Sequence, residues 1–126
     1  MKPSISFVVE GDAKPKQSYK HSKHGGYTPA PVKEWQHLVA WKAREARLAN
    51  PGFEPFMNGD KVQVSVHFDL THHRRVDLDN LSKAVLDGLN EVLWDDDRCV
   101  VDLHLTKSHG KEEGKVYITV LEAQDE

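Results

Sequence analysis

An α+β fold with the order β-α-β-α-β-β, a mixed sheet with two helices packed on it, is predicted by three observations. Residues 61–70 (KVQVSVHFDL) alternate strictly between apolar and polar, the period of a strand buried on one face. Two stretches, from about Pro31 to Leu48 and from about Asn80 to Leu93, repeat apolar residues at helical spacing. Two valine-rich runs, 98–106 and 115–122, close the chain.

Residues 5–10 (ISFVVE) are short and β-branched and read as the first strand. Residues 11–31, rich in Gly, Pro, Lys and His, read as a long basic loop, a kind of segment that is often functional. In the first helix, Trp35, Leu38, Val39, Lys42, Ala43 and Ala46 share a face, and Asn50-Pro51-Gly52 ends the run. Trp35 and Trp41 are expected to pack. In the long alternating strand, Val62, Val64, Val66, Phe68 and Leu70 point one way. Leu81, Val85, Leu89 and Val92 form the apolar face of the second helix. Residues 107–114 read as a turn, and the two strands around it are close enough in sequence for a hairpin. Cys99 alternates with Val101 and Leu103 and is expected in the core.

The 126 residues are expected to form one domain. One cysteine excludes an internal disulfide, and no stretch approaches the length of a spanning helix. A cytoplasmic protein is expected. The net charge of −3 argues mildly against a nucleic-acid binder, but the charges are segregated. Lys14, Lys16, Lys20, His21, Lys23 and His24 form one basic cluster, and His72, His73, Arg74 and Arg75 form another. Acids gather at 77–79 and 95–97 and in the tail. Metal chelation beside a phosphate-contacting surface needs such a division. His72 and His73 with Cys99 make a poor zinc set: the imidazoles are adjacent and there is one thiol.

The run Arg74-Arg75-Val76-Asp77-Leu78-Asp79-Asn80-Leu81-Ser82-Lys83 carries the chemistry. If the extended geometry continues past the strand, Asp77 and Asp79 project to one side. Asp79 then falls at the helix N-cap, with Lys83 four residues on along the same face. Two carboxylates and an ammonium suit a hard cation and a phosphodiester. Taken alone, the run also fits a capped helix preceded by an Asx turn. A calcium loop is excluded, because Leu81 and Ser82 stand where that pattern needs a polar residue and glycine. The second acidic element, Asp95-Asp96-Asp97, would be a solvated turn if taken alone.

Together, Asp77-Leu78-Asp79-Asn80-Leu81-x-Lys83 and the following Trp94-x-Asp96-Asp97 with a valine-rich strand resemble the RusA family of Holliday junction resolvases. The resemblance implies a single RusA-like endonuclease domain over residues 1–126. It implies a crossover junction endodeoxyribonuclease in which Asp77, Asp79 and Asp97 converge to bind Mg²⁺, with Mn²⁺ as a substitute. Asp96 is a weaker ligand, and Lys83 is needed for cleavage. Asp95 stands where the family commonly has an apolar residue, which leaves both Asp96 and Asp97 open as the third ligand. The implied assembly is a homodimer that makes paired symmetric nicks in four-way junctions during recombination and repair. Lys14, Lys16, Lys23, Arg74 and Arg75 are the expected DNA contacts. The alternative is a non-catalytic module that binds branched DNA, or a phage accessory protein.

Overall fold

A computed structural model describes residues 4–16, 28–57, 59–71 and 75–123. The elements are β1 (Ile5–Glu10), α1 (Ala30–Ala49), β2 (Val62–Thr71), α2 (Leu78–Leu89), β3 (Val100–Lys111) and β4 (Lys115–Glu122), with a 3₁₀ turn at Asp97–Cys99. The class is α+β, and the four strands form one mixed sheet in the order β1-β4-β2-β3.

The alternation of β2 explains its central place. Val62, Val64, Val66, Phe68 and Leu70 are all buried, and the strand is paired on both edges. Ile5 and Val9 of β1 and Val116, Ile118 and Val120 of β4 extend that apolar face. The helices cover it with Val32, Trp35, Val39, Ala43 and Ala46 from α1, and Leu81, Ala84, Val85 and Leu89 from α2. Helix α1 ends where Asn50 donates its side-chain amide to the Ala46 carbonyl at 2.7 Å. Gly88 sets the distance between the helices. A Cβ there would stand 2.8 Å from the Gln36 carbonyl oxygen and 3.0 Å from Val39 Cβ, so the two backbones meet only because the side chain is absent.

The expected hairpin between the last two strands does not form. β3 runs parallel to β2 through the α2 crossover, β4 runs antiparallel to β2, and β2 lies between them. An inner, fully apolar strand face gains more from two partners than from one, and the short 112–114 link spans the end of β2. β3 also continues to Lys111 rather than ending near 106. At the sheet edge it is only partly covered: Val101 is 57% exposed and Leu103 39%. Cys99 lies half-buried in the 3₁₀ turn, outside the expected core. Trp35 packs as expected, but Trp41 is 59% exposed, because it falls off the buried stripe of α1. No helix among the described residues is long and apolar enough to cross a membrane.

Candidate active site

The first half of the site is the entrance to α2. Lys107 of β3 donates to the Val76 carbonyl at 2.8 Å, which ties the approach segment to the sheet edge. The N-cap is Asp77, not Asp79 as the sequence suggested. The Leu81 amide bonds the Asp77 carbonyl at 3.0 Å, so the helix begins two residues earlier. Asp79 therefore lies inside the first turn, and the strand rule does not carry both carboxylates to one side. The Asp77 side chain makes no capping hydrogen bond, although its backbone is extended. Its oxygens are not committed to the helix amides. Negative charge is favoured here by the helix dipole. Asp79 and Lys83 meet at 3.5 Å, with side chains 80% and 44% exposed. Ser82 is buried, and its hydroxyl returns to the Asp79 carbonyl at 2.8 Å.

The second half lies at the other end of α2. After Leu89 the chain turns sharply: Glu91 takes a positive φ of 68° and bonds the Trp94 carbonyl at 2.6 Å. The Trp94 indole donates to Asn90 Oδ1 at 2.7 Å. With Trp94 buried, this turn fixes the direction in which the acidic run leaves. Asp95 and Asp96 are exposed and Asp97 is half-buried. Asp96 caps the 3₁₀ turn, accepting from the Arg98 amide at 2.9 Å, with the Arg98 guanidinium at 3.4 Å. Burial pushes the Asp97 carboxyl above the usual carboxylate range. The negative charges of Asp96 and Asp87 and a hydrogen bond to Asp96 add to this, and Lys16 opposes it. Burial also raises the Cys99 thiol, which keeps it protonated and unsuited to metal binding.

Sequence reasoning missed Asp87. It lies eight residues after Asp79 and four after Lys83, so the three form one row along α2; that spacing was the available signal. Asp87 accepts from Lys16 Nζ at 2.5 Å and from Gln36 Nε2 at 3.4 Å. Lys16, expected to contact DNA, is held in this pair. Lys14 is half-buried and Arg75 exposed. Lys23 and Arg74 lie outside the described residues.

The predicted set is thus divided within one chain. Asp77, Asp79 and Lys83 stand at the start of α2; Asp96 and Asp97 stand toward its end, in the electrostatic range of Asp87. At a rise of 1.5 Å per residue, roughly 12 Å of helix separates Asp79 from Asp87. The strand register agrees: Val100, just after Asp97, pairs with the first residue of β2, whereas Asp77 follows the last. Among the described residues, no three acidic, histidine or cysteine side chains are gathered around a point that could hold an ion.

The family model for endodeoxyribonuclease RusA matches residues 10–121, a span that contains both acidic ends. A crossover junction endodeoxyribonuclease RusA of Escherichia coli O139:H28 is 36% identical over 109 residues, 86% of each chain. This chain belongs to the RusA family. The RusA protein of E. coli strain K12 is 35% identical over the same share of both chains. The RusA protein of Enterobacteria phage 82 is 35% identical over 66 residues, 52% of this chain and 55% of its own. Family membership makes this RusA-family chain an enzyme of the nuclease class. The geometry suits that class. The Asp77 carboxylate, which makes no capping hydrogen bond, offers hard oxygen ligands, and Lys83 beside Asp79 offers positive charge to a phosphodiester.

Proposed function

We propose that the chain is a Mg²⁺-dependent endodeoxyribonuclease that cuts branched DNA, four-way junctions above all, as a homodimer acting in recombination and repair. The observation that carries this reading is the α2 entrance, where the Asp77 side chain makes no capping hydrogen bond and Lys83 stands 3.5 Å from Asp79. The curated relatives named above are crossover junction endodeoxyribonucleases. The donor set fits a hard divalent ion by its chemistry: the ligands are aspartate oxygens only, and the charge crowded at Asp97 is one that a cation would relieve. Asp77, Asp79 and Asp97 would hold the ion, with Asp96 a weaker contributor because it caps the 3₁₀ turn. Mn²⁺ would serve as a substitute, since it shares the preference for oxygen ligands. When bound, the ion supplies Lewis-acid chemistry at the phosphodiester. Lys83 offsets the charge that builds on the phosphoryl oxygens, and Lys14 and Arg75 contact the backbone phosphates of the arms.

A two-fold dimer reconciles this set with the roughly 12 Å of helix that separates Asp79 from Asp87. In a symmetric pair, each copy's α2 entrance can face the other copy's 3₁₀ turn, so that each site takes Asp77 and Asp79 from one chain and Asp97 from its partner. The exposed Val101 and Leu103 on the open edge strand β3 offer apolar surface for such a contact.

The test is complementation. Asp77→Asn and Asp97→Asn proteins are each inactive on a Mg²⁺-supplemented synthetic four-way junction. Mixed after exchange of subunits, they regain nicking at about a quarter of the sites, because one site of each mixed dimer is intact. A mixture as inactive as its parts would overturn the shared site. Single variants that cut normally would overturn the assignment of these aspartates. The presence of all three aspartates and Lys83 favours the enzyme over the non-catalytic alternative.

A further inference from the structure

Asp77 is exposed and its side chain makes no capping hydrogen bond, so the helix amides do not orient it. Two peptide planes flank its Cα, and each is held by a different element. The plane after it is held by α2, where the Leu81 amide bonds the Asp77 carbonyl at 3.0 Å. The plane before it is held by β3, where the Lys107 ammonium donates to the Val76 carbonyl at 2.8 Å. A peptide unit is planar, so fixing the Val76 carbonyl also fixes the Asp77 amide. With both planes fixed, the direction of the Asp77 Cα–Cβ bond is set. The strand register explains why Lys107 reaches this point. β2 and β3 are parallel and Lys107 pairs with Phe68, so both side chains leave the sheet on the side that the helices cover. Phe68 is fully buried; Lys107, on the edge strand, is half-buried. Among the described residues its ammonium pairs with no carboxylate, and its hydrogen bond goes to the residue before Asp77. A half-buried charge without a counter-charge is an unfavourable way to fill a sheet edge, which points to a role in that one contact.

We propose that Lys107 is a positioning residue of the nuclease site: by holding the Val76–Asp77 peptide, it aims the Asp77 carboxylate at the ion. Lys107 does not coordinate, because an ammonium has no free lone pair. The inference rests on the metal-dependent reading above. The sign of its effect separates it from two simpler roles. As a bare positive charge near the site, Lys107 would repel a cation, and its removal would tighten metal binding. As a clamp on the sheet edge alone, its removal would lower stability and leave metal affinity unchanged. As a positioning residue, its removal weakens metal binding even though a repelling charge is lost.

The experiment measures Mn²⁺ and Mg²⁺ binding to the full-length protein by calorimetry, without DNA, so that any phosphate contact by Lys107 does not enter. Lys107→Met keeps the length of the side chain and loses the donor. It should weaken Mn²⁺ binding by about tenfold or more, the range usual when a group that orients a metal ligand is removed. Lys107→Arg, which can still donate to the carbonyl, should recover most of that loss. Thermal melting confirms that each variant is folded; if Lys107→Met does not fold, Lys107→Gln, neutral and one atom shorter, takes its place with the same expectation. Tightened binding, a change of no more than about twofold, or an arginine variant as weak as the methionine one overturns the positioning role while leaving the metal reading intact. A parent protein that binds neither ion overturns both together.

Discussion

Replacing Lys83 with alanine separates catalysis from ordinary helix electrostatics by a wide margin. The structure places Lys83 Nζ 3.5 Å from Asp79 at i,i+4 spacing, with both side chains substantially exposed. In bulk water such a pair attracts by about 1.2 kcal/mol. Side-chain entropy and salt reduce this to about 0.3–0.5 kcal/mol of stability. For a domain of this size that loss lowers Tm by about 2 °C or less. A transition-state role is far larger: removing one donor aimed at developing charge costs about a hundred- to a thousandfold, or about 2.7–4.1 kcal/mol. Single-turnover cleavage of a saturated four-way junction, with Mg²⁺ binding followed by calorimetry, reads the two effects separately. The expected result is a large rate loss with metal binding preserved. A Lys83→Ala protein that cuts within a few-fold of the parent would make Lys83 a helix-surface residue and remove it from the site.

Three further outcomes follow from particular contacts. Asp79→Asn should abolish cleavage while junction binding in a gel shift persists or tightens, because a carboxylate that repels phosphate is lost; binding lost in step with cleavage would point to folding instead. Gly88→Ala gains about 1 kcal/mol of helix propensity, but its Cβ meets the Gln36 carbonyl oxygen at 2.8 Å and the overpacking costs more. A net loss of about 1–2 kcal/mol, or about 4–8 °C in Tm, is expected, and an unchanged or higher Tm would contradict the close helix contact. Asp97→Asn should raise Tm at neutral pH without metal: the folded protein holds the Asp97 proton more tightly than the unfolded chain, so stability falls as pH rises through that window. The gain should vanish below about pH 3, where the carboxyl is largely protonated in both states; a gain that persists there would have another origin.

Much of this architecture was legible because buried faces leave a period. The β2 alternation and the α1 stripe both appear in the structure as read, since each element buries one face. The placement of β3 was not legible. Proximity of 98–106 to 115–122 suggests a hairpin, but pairing is decided by which strand occupies the centre of the sheet, and that was β2. The α2 start was misplaced by two residues because Asp77 and Asp79 are equally good cap residues; the hydrogen bond from Leu81 to Asp77 decides between them. Both acidic elements and Lys83 were visible as a pattern, and so was the family. Their division between the two ends of α2 was not, because sequence spacing carries no information about which way a helix returns the chain. Asp87 reads from the sequence as no more than a surface partner for Lys83, because an acid on a helix surface is ordinary until Lys16 and Gln36 are brought to it.

The most direct test of the nuclease assignment is cleavage of a labelled synthetic four-way junction by the purified protein, beside a linear duplex of the same sequence, with Mg²⁺ and with the ion chelated. Paired nicks at symmetric positions in opposing strands, dependent on Mg²⁺ and absent from the linear duplex, are the predicted result. A junction left intact at saturating protein and Mg²⁺, or cut no faster than the linear duplex, would contradict the account.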